Sequence, residues 1–231
     1  MNADGRNLIR LCNDNGGFVS VVIFVATLAI AWVSGLFRLL RHRPRFVLSI
    51  LTGPNFACTY PTGQKLGEYD VNRTFFALYL NITNRGSAAA AIESARLGYK
   101  WAINKLNWYF VRYVLGWSWL HPMISMMDFH YTLKSGGAKF YPFLMQRSTI
   151  MPADGDLYLP VGKSTHGMIY FEQRDAWGGC QPLVIKGRTL AKIRVIDSFG
   201  GSHVRKFWLP VVTLAEARKY NPAIGTTHDE I

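Results

Sequence analysis

The chain has 231 residues, with 26 Lys and Arg against 14 Asp and Glu, a formal net charge of +12 and a mean hydropathy of +0.07. Hydrophobic residues make up 49% and charged residues only 17%, below the roughly 25% of an ordinary soluble domain, which excludes a disordered chain. Three Cys, 21 Gly and 10 Pro exclude a disulfide-stapled or collagen-like chain, and the single long uncharged run argues against a polytopic transporter.

Residues 1–17 form a short N-terminal segment. Residues 18–37, FVSVVIFVATLAIAWVSGLF, contain no charge and predict a transmembrane helix. Twenty residues at about 1.5 Å each match the roughly 30 Å hydrocarbon core. The many Val and Ile residues do not oppose a helix there, because a bilayer forbids unpaired backbone whatever the propensity. The rival reading is a cleaved signal peptide, with Arg6 and Arg10 as its basic start and Ala29-Ile30-Ala31 as its cleavage site. Against it, a basic linker at 38–45 follows at once, with Arg38, Arg41, Arg43 and Arg45. Such a block resists translocation, so the expected arrangement is N-terminus out, main domain on the cytoplasmic side of the inner membrane. A periplasmic main domain is the alternative. The four arginines are the expected membrane-surface contact, worth about 1 kcal/mol each beside anionic lipid.

Cys12, Cys58 and Cys180 are widely spaced, with no pattern of metal ligands, and Cys58 and Cys180 read as small apolar residues in a reducing compartment. The sequons at Asn72 and Asn81 are chance matches in a cytoplasmic domain.

Residues 46–222 predict one mainly β domain. Phe46, Leu48 and Ile50 share one face of a first strand; Phe76, Leu78, Leu80 and Ile82 share one face of a second, which period two marks as half-buried. Asn84-Arg85-Gly86-Ser87 is a turn signal, after which Ala95, Leu97, Tyr99 and Trp101 line a third strand. Gly167 to Gln173, Arg188 to Asp197 and His203 to Val212 read as further strands, the last two joined by the turn Phe199-Gly200-Gly201-Ser202. Closely spaced strands without long helical periods between them indicate an antiparallel sandwich.

The run FALYLNITNRGSAAAAI resembles a region of bacterial immunoglobulin-like modules in which a strand ends in Asn-x-Gly-Ser and small residues open the next. The segment YLPVGKSTHGMIYFE is similar to their hairpin, where a Pro-x-Gly turn precedes a strand ending in an acid. The resemblance covers about a sixth of the chain and implies an immunoglobulin-like sandwich on a single-pass anchor. No Cys pair brackets Trp101, so it implies no core disulfide. It implies no activity, since sandwiches carry many.

An aromatic-rich insertion at about 100–145 interrupts the strand pattern. It holds Trp108, Tyr109, Phe110, Arg112, Trp117 and Trp119, the candidate contact surface. A second membrane span would bury Arg112 near its centre at about 2.5–3.5 kcal/mol, and Pro122 limits its length, so that reading is rejected. Aromatics beside Lys and Arg suit the headgroup region or a partner's membrane helix. The competing reading makes the segment core, with a hairpin in which Phe129 to Leu133 and Phe140 to Phe143 flank Ser135-Gly136-Gly137. Near the end, Thr213 and Glu216 form a capping box opening a short helix that Asn221-Pro222 stops, and 223–231 reads as a tail.

Chemistry is sparse. Gly162-Lys163-Ser164-Thr165 imitates the end of a phosphate-binding loop, but Leu157 stands where its first Gly belongs and a strand follows. Asp154 and Asp156 are turn composition; Glu172, Asp175 and Asp197 are strand-end charges that could meet only through folding. His121, His130, His166 and His203 show no ligand spacing, and Ser164 with His166 lacks a nucleophile elbow. The expectation is therefore no enzyme and no cofactor or metal, but a membrane-anchored interaction or scaffold subunit. A lipid-binding or membrane-perturbing effector is the alternative. The expected partners are the lipid bilayer and another membrane or membrane-proximal protein; a homo-oligomer stays open, and the basic clusters lack any nucleic-acid motif.

Overall fold

The computed structural model describes residues 16–34, 42–103, 108–123, 129–132, 137–145 and 157–225. They fall into two units, Met1–Arg43 and Pro44–Ile231. In the first, an α-helix runs over Gly16–Val33. The hydroxyls of Ser20 and Thr27 donate back to the carbonyls of Gly16 and Ile23, so polar side chains are satisfied along the helix itself. Its 18 residues reach about 27 Å, and among the described residues no helix is long and apolar enough to cross a membrane. The span expected over 18–37 is thus not supported as drawn: the helix begins two residues earlier and ends at Val33. Arg38 and Arg41 lie outside the described residues.

The second unit is built of antiparallel strands. A four-stranded sheet centres on β3 (Tyr69–Asn84), flanked on one edge by β1 (Phe46–Ile50) and β2 (Phe56–Leu66) and on the other by β9 (Ser164–Trp177). The second sheet centres on β4 (Ala90–Tyr99) and β11 (Arg188–Asp197). It adds β5 (Ser118–Leu120), β8 (Tyr158–Leu159), β10 (Val184–Ile185) and β12 (Ser202–Pro210). A separate hairpin pairs β6 (Phe129–Thr132) with β7 (Ala138–Tyr141), as the aromatic runs on either side of Ser135-Gly136-Gly137 predict.

The two sheets share a core. Phe76, Leu78, Leu80 and Ile82 of β3 pack with Ala95, Leu97 and Tyr99 of β4 and with Ala191, Ile193 and Val195 of β11. These are the alternating faces read from the sequence. The expectation of a half-buried second strand fails, however. Phe75 and Ala77, on the other face of β3, are buried too, beneath Phe129, Tyr141 and Phe143 of the hairpin region and Ala217 and Ile224 of the C-terminus. That terminus carries the helix Leu214–Arg218, opened by the Thr213–Glu216 capping box. Ile224 is buried and its carbonyl accepts from Arg218 Nε at 2.9 Å, so the ordered chain runs past the expected tail boundary at 223; residues 226–231 lie outside the described set.

Asn84, at the end of β3, holds the turn that follows it. Its amide donates to the carbonyls of Ala88 and Leu159, and its Oδ1 accepts from the amides of Arg45 and Gly86. The side chain is fully buried and uses both donors and both lone pairs.

Candidate functional site

A β-strand sends alternate side chains to opposite faces. With Ala95, Leu97 and Tyr99 inward, Arg96, Gly98 and Lys100 belong to the outer side of β4. Ala191, Ile193 and Val195 likewise put Lys192 and Arg194 outward on β11, and Phe207 does the same for Lys206 on β12. Register then aligns them. Lys192 stands opposite Gly98 on one side and Lys206 on the other, and Arg194 stands opposite Arg96. β5 completes the row, with Trp119 opposite Gly98.

Two indoles lie over this face. A Cβ on Gly98 would sit 3.2 Å from Cε3 of Trp119 and 3.3 Å from Cε3 of Trp117, so the missing side chain is what lets both rings settle on the strand. Cations surround them. Lys100, Lys192 and Lys206 place Nζ 5.6, 5.1 and 5.7 Å from the Trp117 ring centre, and Arg194 lies 4.4 Å from that of Trp119. Each is within the range of a cation–π contact.

No carboxylate balances the cluster among the described residues. The two ion pairs found there, Arg73–Glu172 at 3.4 Å and His203–Asp197 at 2.7 Å, include none of its members. Burial, then the charges of Arg194 and Lys206, push the Lys192 ammonium below its usual range. Arg96 Nε and Arg194 Nε are buried without a hydrogen-bond partner.

Beside this platform the insertion forms a π-helical turn, Phe110–Gly116. Its base is fixed: Trp101 stacks on Tyr113 with ring centres 3.9 Å apart, and the Trp101 amide donates to the Tyr113 carbonyl. Trp101 Nε1 donates in turn to the buried Tyr99 hydroxyl, whose own proton goes to the Cys180 carbonyl. Arg112 lies 5.2 Å from the Tyr113 ring centre. Tyr109 extends the stack onto Tyr113, with ring centres 6.5 Å apart, yet the outer residues stay open, with Trp108 70%, Tyr109 57% and Leu115 63% exposed.

The predicted contact residues thus divide. Trp108 and Tyr109 face solvent, Arg112 lies against Tyr113, and Trp117 and Trp119 lie half-buried on the sheet; the side chain of Phe110 lies outside the described residues. Arg43 and Arg45 are exposed, and the Arg45 carbonyl accepts from the Arg85 amide. Sequence reading missed Arg96, Lys100, Lys192, Arg194 and Gly98, and noted Lys206 only within a small basic cluster. The available signal was Lys192 and Arg194, which alternate with the apolar Ala191, Ile193 and Val195.

The acid–base groups are occupied structurally. His203 Nδ1 accepts from the Phe46 amide at 3.2 Å, which leaves Nε2 to carry the proton toward Asp197. Neither nitrogen is left for a substrate. Glu172 takes a bond from the Tyr170 hydroxyl and pairs with Arg73 on the first sheet, while Asp197 belongs to the second, so these acids do not meet. Asp154 and Asp156 lie outside the described residues. Gly162 turns the chain at φ 78° into β9, where a phosphate-binding loop would require a helix. Among the described residues no three His, Cys, Asp or Glu side chains could hold one metal ion. In comparisons with known proteins, no family model and no curated protein matched the chain.

Proposed function

We propose that the chain is a membrane-anchored interaction subunit without catalytic activity, with an immunoglobulin-like domain on the cytoplasmic side of the inner membrane. The contact surface is the aromatic turn around Trp108, Tyr109 and Leu115. One observation carries this reading: large apolar side chains stand exposed on a turn whose base is locked by the Trp101–Tyr113 stack. Exposed apolar groups on a fixed support mark an interaction site more than a mobile loop does.

Strand order supports the immunoglobulin-like assignment. The order β1–β3–β9 is that expected for strands A, B and E, and β12–β11–β4–β5 that for G, F, C and C′. Here β2 is an addition between A and B, and the insertion takes the place of strand D. The anchor rests on the sequence alone, which stays uncharged from Asn15 through Phe37. A C-terminal reporter fused after Ile231 tests the topology: cytoplasmic fluorescence without periplasmic phosphatase supports the reading, and phosphatase activity reverses the compartment.

The exposed aromatics Trp108 and Tyr109, next to the turn that carries Arg112, favour a second reading, a lipid-binding effector. A photoreactive residue in place of Trp108, activated in native membranes, separates the two. An adduct of one discrete protein mass supports the scaffold role, a lipid adduct the effector; failure to form either removes the turn as a contact surface.

A further inference from the structure

We infer that the outer face of the second sheet is a docking platform for the phosphates of acidic lipid headgroups, read by Arg96, Arg194, Lys192 and Lys206 around Trp117 and Trp119. This rests on the membrane-anchored reading above, and it assigns a surface distinct from the exposed turn.

Like charges directly opposed across strands repel, and here Arg96 faces Arg194 and Lys192 faces Lys206. No carboxylate among the described residues relieves them. The Nε groups of both arginines are buried donors with nothing to donate to. Both atoms are covered, so it is the outer N–H groups of the two guanidiniums, on a half-buried face crowded with like charge, that remain for an acceptor. A phosphate forked by them supplies hydrogen bonds and the neutralising charge together.

The shape decides between anions. The basic residues spread across three neighbouring strands of one sheet face, which suits a plane of many phosphates better than one small molecule. Trp117 and Trp119 are half-buried and already have Lys and Arg against their rings, so they do not offer free faces for stacking bases. Indoles held flat among basic side chains are instead the composition of a headgroup interface. A domain tethered by an apolar helix would meet that plane at high effective concentration.

The test uses the full chain reconstituted in nanodiscs of phosphatidylcholine, with or without phosphatidylglycerol, and lysine acylation read by mass spectrometry. Lys100, Lys192 and Lys206 label more slowly in the acidic discs, while the exposed Lys65 and Lys163 label equally in both. Replacing two basic residues, Arg96→Gln with Arg194→Gln, lowers the docked-to-undocked ratio about thirtyfold and restores labelling. Should that variant fold poorly, Lys192→Gln with Lys206→Gln, read at Lys100, gives the same comparison. Equal labelling of the native chain in the two discs overturns the proposal. Equal protection by a single-stranded oligonucleotide in phosphatidylcholine discs overturns the lipid assignment in favour of nucleic acid. Retention in phosphatidylcholine discs after an alkaline wash reads the anchor separately. A chain that washes out is offered phosphatidylglycerol vesicles from solution, and labelling of the three lysines again decides the platform.

Discussion

His203 joins two strands that are far apart in sequence. Its Nε2 lies 2.7 Å from Asp197 Oδ2 on the β11–β12 turn, and its Nδ1 accepts from the Phe46 amide at the start of β1. Asp197 is buried; burial opposes its charge, but the hydrogen bonds from His203 and from the Gly201 and Phe199 amides together hold its carboxyl below the usual range. Because the folded carboxyl is the more acidic, its stabilisation is full above the unfolded value near pH 4 and is lost as pH falls through the folded value. Asp197→Asn keeps the shape but gives up the charge-assisted bonds. It is expected to destabilise by about 2–3 kcal/mol at neutral pH and to flatten the acid limb of a urea-denaturation series. An acid limb unchanged in the variant would show that other carboxylates control it.

Asn84 offers the sharpest test of the first turn. Asn84→Ala strands the carbonyls of Ala88 and Leu159 and the amides of Arg45 and Gly86, an expected loss of about 3 kcal/mol in chemical denaturation. Asn84→Asp should not rescue it, because a carboxylate would face two carbonyl oxygens. Rescue by Asp would mean that only the two accepted bonds matter.

Gly167 lies where another segment crosses β9. A Cβ there would sit 2.5 Å from the backbone N and Cα of Leu144, whose amide donates to the Met168 carbonyl. Backbone cannot swing aside as a side chain can, so Gly167→Ala is expected to cost about 1–3 kcal/mol and to loosen residues 142–144. Hydrogen exchange at the Leu144 amide should accelerate in the variant; an unchanged rate would place the strain elsewhere.

Cys58 is buried, and that burial, with the nearby Glu216 charge, pushes its thiol up to about 11. Alkylation needs the thiolate. Native protein at pH 8 should therefore leave Cys58 unmodified by iodoacetamide, while protein in urea is labelled fully, as peptide masses would reveal. Prompt native labelling would mean that the C-terminal layer opens readily.

Much of the sandwich was legible because period two reports which residues share a face, and Arg188–Asp197 has the predicted bounds. Two things were hidden. β2, with Pro61 and Gly63 inside it, drew no strand assignment from the sequence, yet it pairs with β3 around a register shift between Pro61 and Lys65. The covering of Phe75 was also invisible, since alternation cannot say whether a face meets solvent or residues 54 to 149 positions away. For the same reason the platform was only partly readable. Trp117 and Trp119 attracted notice as aromatics in the insertion, but their cations come from β4, β11 and β12, and only register brings them together.

The double covering of β3 has a consequence for synthesis. Its inner face can close once β11 and β12 have emerged, but its outer face is completed only by Ala217 and Ile224, which follow both sheets in the chain. Until then Phe129, Tyr141 and Phe143 cover part of that face, but Phe56, whose ring packs on Tyr220, keeps an apolar flank open on a nearly complete domain, a surface for chaperone capture or self-association. A nascent chain stalled before Thr213 would keep that flank open. The last dozen described residues therefore seal that face, and a chain stopped before Thr213 is expected to aggregate rather than to give a slightly shorter folded domain.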